Sequence, residues 1–206
     1  MKPVIVIGGG WSFGEHFTDD LRSRGTVIGV NDSAVHTRVH IAVTMDRLWL
    51  EGRAETMDYL AIPTYYREGN CKNGKPPHMG LPYKNNNRMD EGMSLEPSVL
   101  NGNNSGAVAL NLAFKMHRTS GAQIYLLGFD MCNGPYGERH WYPPYPWNSG
   151  GGTSEKKLNE WSSEFAPWAA QFAAAGVDVK NVSNRSVLTN WKKISYEKFK
   201  KETGDV

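Results

Sequence analysis

Two kinds of apolar stretch alternate along this chain. Residues 3–8 and 26–31 are unbroken runs rich in β-branched side chains, each closed by glycine or polar residues. Continuity rather than alternation predicts strands buried on both faces of a parallel sheet. Between them Phe13, Phe17 and Leu21 recur every four residues, which predicts a helix over 12–23 ending near Gly25, and with it a βαβ unit. Residues 41–45 and 60–65 are shorter strand candidates flanking a helix around 47–59. Asn104-Ser105-Gly106 reads as a capping signal ahead of a helix over 107–116, and residues 123–130 (QIYLLGFD) form the strongest strand pattern of all. Leu158, Trp161, Phe165, Trp168 and Phe172 fall at intervals of three and four, predicting a helix from about 154 to 174, kinked at Pro167 and stopped by Gly176. A last strand is predicted over 177–182 and a basic helix over 191–201. Strands alternating with helices predict an α/β fold: a doubly wound, mainly parallel sheet with helices on both faces, in one domain spanning 1–206.

Two segments break the pattern. Residues 67–100 are dominated by Gly, Asn, Pro, Lys and Met without a period, and predict a long loop insertion, either a functional lid or a surface excursion. Residues 131–152 predict a second irregular loop, dense in aromatics and prolines, with Tyr136, His140, Trp141, Tyr142, Tyr145 and Trp147.

Composition narrows the classes. A length of 206 residues with 39% hydrophobic content suits one sheet-centred core. The net charge of +2 makes neither duplex DNA nor an anionic membrane an obligatory partner. Cys71 and Cys132 match no metal pair or disulfide framework, and the apolar run after Met1 is too short for a signal segment or membrane span, so a cytoplasmic protein is expected. The P-loop, HExxH and Cys/His cluster patterns are missing from the sequence. Gly10-Trp11-Ser12-Phe13-Gly14 spells G-x-S-x-G, but on the first strand and without a supporting His and acid.

In a doubly wound sheet ligands sit beyond the carboxyl ends of the strands, so the polar residues there are the candidates. Gly8, Gly9, Gly10 and Ser12 close the first strand and open a helix, an arrangement that either cradles a phosphate with backbone amides or only makes a tight turn. Phe13 stands where a dinucleotide fingerprint needs its third glycine, which disfavours NAD and FAD. Asn31 and Asp32 follow the second strand, as ribose or base contacts or as a turn. Asp46 follows the third, as a contact, a metal ligand or a cap. Ser105 and Gly106 begin a helix and can hold a phosphate or carboxylate. Asp130 ends the strongest strand beside the expected crevice, as an anchor or a catalytic or metal carboxylate. His140 is the one histidine of six whose setting suits acid–base chemistry.

Taken in order, IGGGWSFGE, GVND, TMD, NNSG and QIYLLGFDM resemble the Rossmann-like group that joins bacterial sialyltransferases with archaeal-type 6-hydroxymethylpterin diphosphokinases. The resemblance covers nearly the whole chain outside 67–100, down to VDVKNV and NRSVLTNW near the end. It implies a Rossmann-like nucleotide-binding domain in which Gly8, Gly10 and Ser12 meet phosphates, Asn31 the nucleoside, and Ser105 and Gly106 the sugar or phosphate region. It also implies His140 as general base, with Tyr136 or Tyr142 beside the leaving phosphate. The chain departs from the pattern at Gly9, where the group has asparagine, and in placing His140 only ten residues after Asp130.

The expected function is a nucleotide-dependent transferase, a glycosyltransferase using a CMP-sugar type of donor. The alternatives are a diphosphokinase acting with ATP, with Mg²⁺ held through Asp46 and Asp130, and a non-catalytic nucleotide-binding protein. The acceptor is open. Basic runs at 72–88 and 192–201 leave room for a nucleic-acid acceptor of the kind a phage-encoded member would use, and a homo-oligomer is compatible with the sequence.

Overall fold

The computed structural model describes residues 2–16, 18–71, 75–86, 92–144 and 154–204. Phe17, Lys72, Asn87, Arg88, Tyr145 and Trp147, which figure in the expectations above, lie outside them. Among the described residues eight strands form one sheet: β1 (Val4–Ile7), β2 (Thr26–Val30), β3 (Ile41–Thr44), β4 (Thr64–Arg67), β5 (Gly80–Tyr83), β6 (Ile124–Leu127), β7 (Val179–Asn181) and β8 (Lys192–Lys193). Their order is β5-β4-β3-β2-β1-β6-β7-β8, and every pairing is parallel. The chain winds outward from β1 to β5, returns to lay β6 on the other side of β1, and winds outward again. The strand order therefore reverses between β1 and β6, and a crevice opens there at the carboxyl ends.

Burial explains why the central strands are apolar throughout: Val4 to Ile7 and Ile124 to Leu127 are covered on both faces. On one face Val4, Val6 and Leu126 pack with α4 (Ser105–Ser120) and with Phe165, Trp168 and Phe172 of the α6 (Ala166–Ala174) region. On the other, Ile5, Ile7 and Val27 pack with Trp49 and Met57 of α3 (Arg47–Leu60) and Phe199 of α7 (Tyr196–Thr203). Short helices α1 (Leu21–Arg24) and α2 (Ser33–His36) complete the set, with α5 (Glu155–Glu164) preceding α6.

Five expectations are corrected. The first helix is reduced to a 3-10 turn, Trp11–Phe13, and the four residues of α1. Phe13 and Leu21 are buried as their spacing requires. The Ser12 amide and hydroxyl, however, both donate to Asp130, 2.8 and 2.6 Å away, and this long-range pair holds the segment in a turn. The fourth strand lies at Thr64–Arg67, later than the pattern placed it, because α3 runs on to Leu60 and ends on Ala61 in the left-handed region.

The 67–100 segment contains β5, which Gly80 and Pro82 concealed, since both residues are depleted in strands. Its later part is tied down by side-chain amides. Asn111 of α4 accepts from the Ser94 and Asn101 amides, and Gln171 of α6 accepts from Met93. Finally, the terminal helix starts only at Tyr196, capped by Ser195, and Lys192–Lys193 form β8. The kink at Pro167 is a full break: α5 ends at Glu164, and α6 begins at Ala166 with proline in its first turn.

β5 is the outer edge of the sheet. Thr64 N–H donates to Met79 O and Glu68 N–H to Tyr83 O, so residues 79 and 83 face β4 while residues 80, 82 and 84 face outward. The Gly80 N–H closes onto Pro77 O, Pro82 has none, and the Lys84 N–H donates to Ser98 O.

Candidate functional site

The crevice at the strand reversal holds a cavity of about 620 Å³. Gly9, Gly10 and Gly128 line it from the ends of β1 and β6, Asn31 and Asp46 from β2 and β3, Ser105 and Gly106 from the start of α4, and Arg139, His140 and Tyr142 from the aromatic loop.

The aromatic loop is fastened to the turn after β1 by two ring donors on successive carbonyls. Trp141 Nε1 donates to Gly8 O at 3.3 Å, and His140 Nδ1 lies 3.1 Å from Gly9 O. A carbonyl oxygen only accepts, so Nδ1 carries the proton and Nε2 keeps its lone pair. The imidazole stacks on Tyr142 with centroids 5.1 Å apart and planes 2° from parallel. His140 keeps contact with solvent through the cavity. Even so, the protein crowded around the ring pushes its pKa below the ordinary value; the Gly9 carbonyl opposes this and the Arg139 guanidinium reinforces it. Gly9 is the residue that permits the seating. A Cβ there would lie 2.7 Å from both His140 Nδ1 and the Tyr142 hydroxyl, so the ring and phenol occupy the space that an asparagine at this position would fill.

α4 presents its amino end to the cavity. Asn104 accepts from the Ala107 amide at 2.9 Å and caps the helix, while Ser105 Oγ accepts from the Met45 amide at 2.9 Å and ties the cap to the end of β3. The first-turn amides of a sixteen-residue helix, with its positive end, are thereby directed at the crevice. Asn31 holds a left-handed backbone (φ 51), its N–H on Val43 O, and its Oδ1 is buried without a partner.

Gly8, Ser12, Asp32 and Tyr136 lie off the cavity lining, and Gly10, Asp46 and Asp130 line it with hydrogen bonds already made within the protein. The phosphate cradle at Gly8, Gly10 and Ser12 is already consumed: Gly8 N–H donates to Leu127 O, Gly10 N–H to Gly128 O, and Ser12 N–H to Asp130. A Cβ at Gly10 would stand 2.5 Å from Asp130 Oδ2, so this turn is tight because it packs on the end of β6. Asp130 borders the cavity, but its carboxylate accepts from Ser12 N–H, Ser12 Oγ and Ser183 Oγ, which makes it an anchor for three loops. Asp32 is 1% exposed; Oδ1 accepts from Trp49 Nε1 and Arg53 Nε, and Oδ2 from Arg53 at 2.9 Å. It is a buried structural carboxylate. Asp46 reaches the rim of the cavity while capping α3 through the Leu48 and Trp49 amides. Tyr136 is 91% exposed and lies outside the lining.

Sequence reasoning missed Asn103, Cys132, Arg139 and Trp161, all of which line the cavity. The Cys132 thiol is pushed up by burial and by the Asp130 carboxylate. For Trp161 a signal did exist. Its spacing from Leu158 marks an apolar helix face, yet no residue of α5 is fully buried, so that face borders the cavity rather than the core.

Strand order and crevice together define a Rossmann-like α/β fold. No protein-family model, curated protein or solved structure matches the chain. No helix among the described residues is long and apolar enough to cross a membrane.

Proposed function

We propose that this chain is a nucleotide-dependent transferase that moves the activated group of a nucleotide-sugar type of donor onto a hydroxyl acceptor, with His140 as general base. The observation that carries the reading is the His140 Nδ1 contact with Gly9 O, which leaves Nε2 of this cavity-lining histidine unprotonated. In the reaction Nε2 takes the acceptor's proton as its oxygen forms the new bond. The bond from the transferred group to the leaving phosphate breaks, and the charge left on the phosphate meets the amides and positive end of α4 and the Arg139 guanidinium.

The phosphate is thus assigned to Ser105 and Gly106 rather than to the glycine turn, and Asn31 to the nucleoside. Transfer of pyrophosphate from ATP would call on Asp46 and Asp130 for Mg²⁺. Both oxygens of Asp130 and Oδ1 of Asp46 are engaged by helix and loop donors, and no group of three candidate ligands occurs among the described residues, so this reading has less support. A nucleic-acid acceptor has less support, because Lys193 is engaged by Ser186 O and Lys200 by Glu197.

The test is a thermal-shift panel of CMP, CDP, UDP, GDP, ATP and NAD with and without Mg²⁺, since a ligand bound only by the folded chain raises its midpoint. A metal-independent shift with a pyrimidine nucleotide is expected. A shift with ATP that requires Mg²⁺ would replace this reading with the kinase, and no shift from any nucleotide would overturn it.

A further inference from the structure

One hydrogen bond fixes one point of a ring and leaves it free to turn about that point, so an imidazole that is to meet a substrate needs a second constraint. For His140 the point is Gly9 O, 3.1 Å from Nδ1. That contact alone lets the ring swing and carry Nε2 around an arc. The plane is set by Tyr142, whose ring lies 2° from parallel to the imidazole with centroids 5.1 Å apart.

Of the two rings, Tyr142 is the one with a fixed seat. It is 7% exposed, whereas His140 keeps its contact with solvent. Trp141 meets Tyr142 edge-on at 5.3 Å, and Trp141 is itself pinned by its hydrogen bond to Gly8 O and by Phe13 of the core, 5.2 Å away. His36 of α2 lies against Tyr142 at 5.9 Å and 21°, with its Nε2 3.8 Å from the buried Asp32. Support therefore runs from the core through Trp141 to Tyr142 and ends on His140. Arg139 and Asp32 act on the charge of the imidazole, and His36 bears on Tyr142; the plane of the imidazole is left to the stack.

We propose that Tyr142 is a positioning residue for His140. Its ring, and not its hydroxyl, holds the imidazole in the plane in which Nδ1 meets Gly9 O and Nε2 is left for the acceptor's proton. This rests on the reading of His140 as general base and adds to it the residue that orients the base. It also departs from the role that the sequence resemblance gave Tyr142, which worked through the hydroxyl beside a leaving phosphate. Substitution separates the two: Tyr142→Phe keeps the ring and removes the hydroxyl, and Tyr142→Met fills the space with a flexible chain that has no plane.

The test is NMR of the full chain labelled with ¹⁵N at histidine, at about pH 7.5, above the ordinary histidine pKa, where the imidazole is neutral. The shifts of the two ring nitrogens report which one carries the proton, and the signals missing from His140→Gln identify the residue. In the parent and in Tyr142→Phe the His140 nitrogens are expected at the well-separated positions of a single tautomer, with the proton on Nδ1. In Tyr142→Met they are expected to move toward each other as the freed ring exchanges between tautomers. His40, whose Nδ1 accepts from the Val27 amide, is expected to keep its parent shifts in both variants, which a general loosening of the fold would not allow. Parent shifts retained at His140 in Tyr142→Met overturn the proposal, and so does their loss in Tyr142→Phe, which would assign the hydroxyl instead. A parent with the His140 proton on Nε2 overturns both the proposal and the base geometry beneath it. The nucleotide panel is independent of this outcome: a failure there removes the transferase and leaves the orientation of His140 by Tyr142 standing.

Discussion

At the scale of single residues, two histidines are held in opposite senses by one atom each. His140 gives its Nδ1 proton to Gly9 O and offers Nε2; His40 takes the Val27 N–H on Nδ1 at 3.0 Å and gives its own backbone N–H to Val27 O. His140→Gln is expected to lower turnover by a factor on the order of 10²–10⁴ while sparing donor affinity, as measured by steady-state kinetics and calorimetry. Burial holds the His140 pKa below 6.5, so the acid limb of kcat/KM should fall below that pH; a limb above it would contradict the assignment.

For His40 the consequence is stability. Burial, with Arg22 and Lys2 acting the same way, lowers its pKa from 6.5, and an imidazolium has no lone pair for the Val27 amide. The unfolded chain binds the proton more readily, so stability should rise with pH from the depressed pKa up to 6.5 and fall as pH drops below 6.5. His16, also depressed by burial, adds a contribution of the same sign. Urea midpoints between about pH 5 and pH 7.5 should show the slope, and His40→Asn, which can accept the same amide without titrating, should flatten it.

Among the elements, α4 does the most for the site, and it was also the most legible. Its cap, its apolar face and the strand after it are written in adjacent residues, so local chemistry and tertiary role agree. Asn104→Ala should cost about 1 kcal/mol of stability in urea titration and weaken anion binding, because the cap also orients the Ser105 turn toward the crevice.

The failures share a cause of another kind. Phe13 and Leu21 carry a true burial signal, but helix was the wrong inference because Ser12 is claimed by Asp130, 118 residues away. β5 was hidden because Gly80 and Pro82 suit only an outer edge, and an edge position is a property of the whole sheet. Asp32 could not be separated from Asn31 in sequence, although Arg53 and Trp49 turn the carboxylate inward while Asn31 faces the crevice. His140 was found from its flanking residues, whereas Trp161 was read as core because a helix spacing does not say what the face meets.

Over the whole molecule, Asp130 acts where the two halves of the sheet meet. It joins the turn after β1, the end of β6 and Ser183 beyond β7. Asp130→Ala should therefore destabilise the chain by on the order of 3 kcal/mol, since three donors lose one buried acceptor; a variant as stable as the parent but without activity would restore a chemical role to the carboxylate.

The outer side of β5 acts between molecules. Along that edge a strand from another chain would find lone pairs but no protons, because each outward position has either spent its N–H or never had one. Growth of the sheet is thus stopped on this side by backbone chemistry alone, even with Met79 and Leu81 partly exposed beside it. Pro82→Val would restore one donor in the middle of the edge, and sedimentation velocity should then detect concentration-dependent association that the parent lacks at this edge. Copies of this chain that meet at this edge would do so through side chains rather than by continuing the sheet.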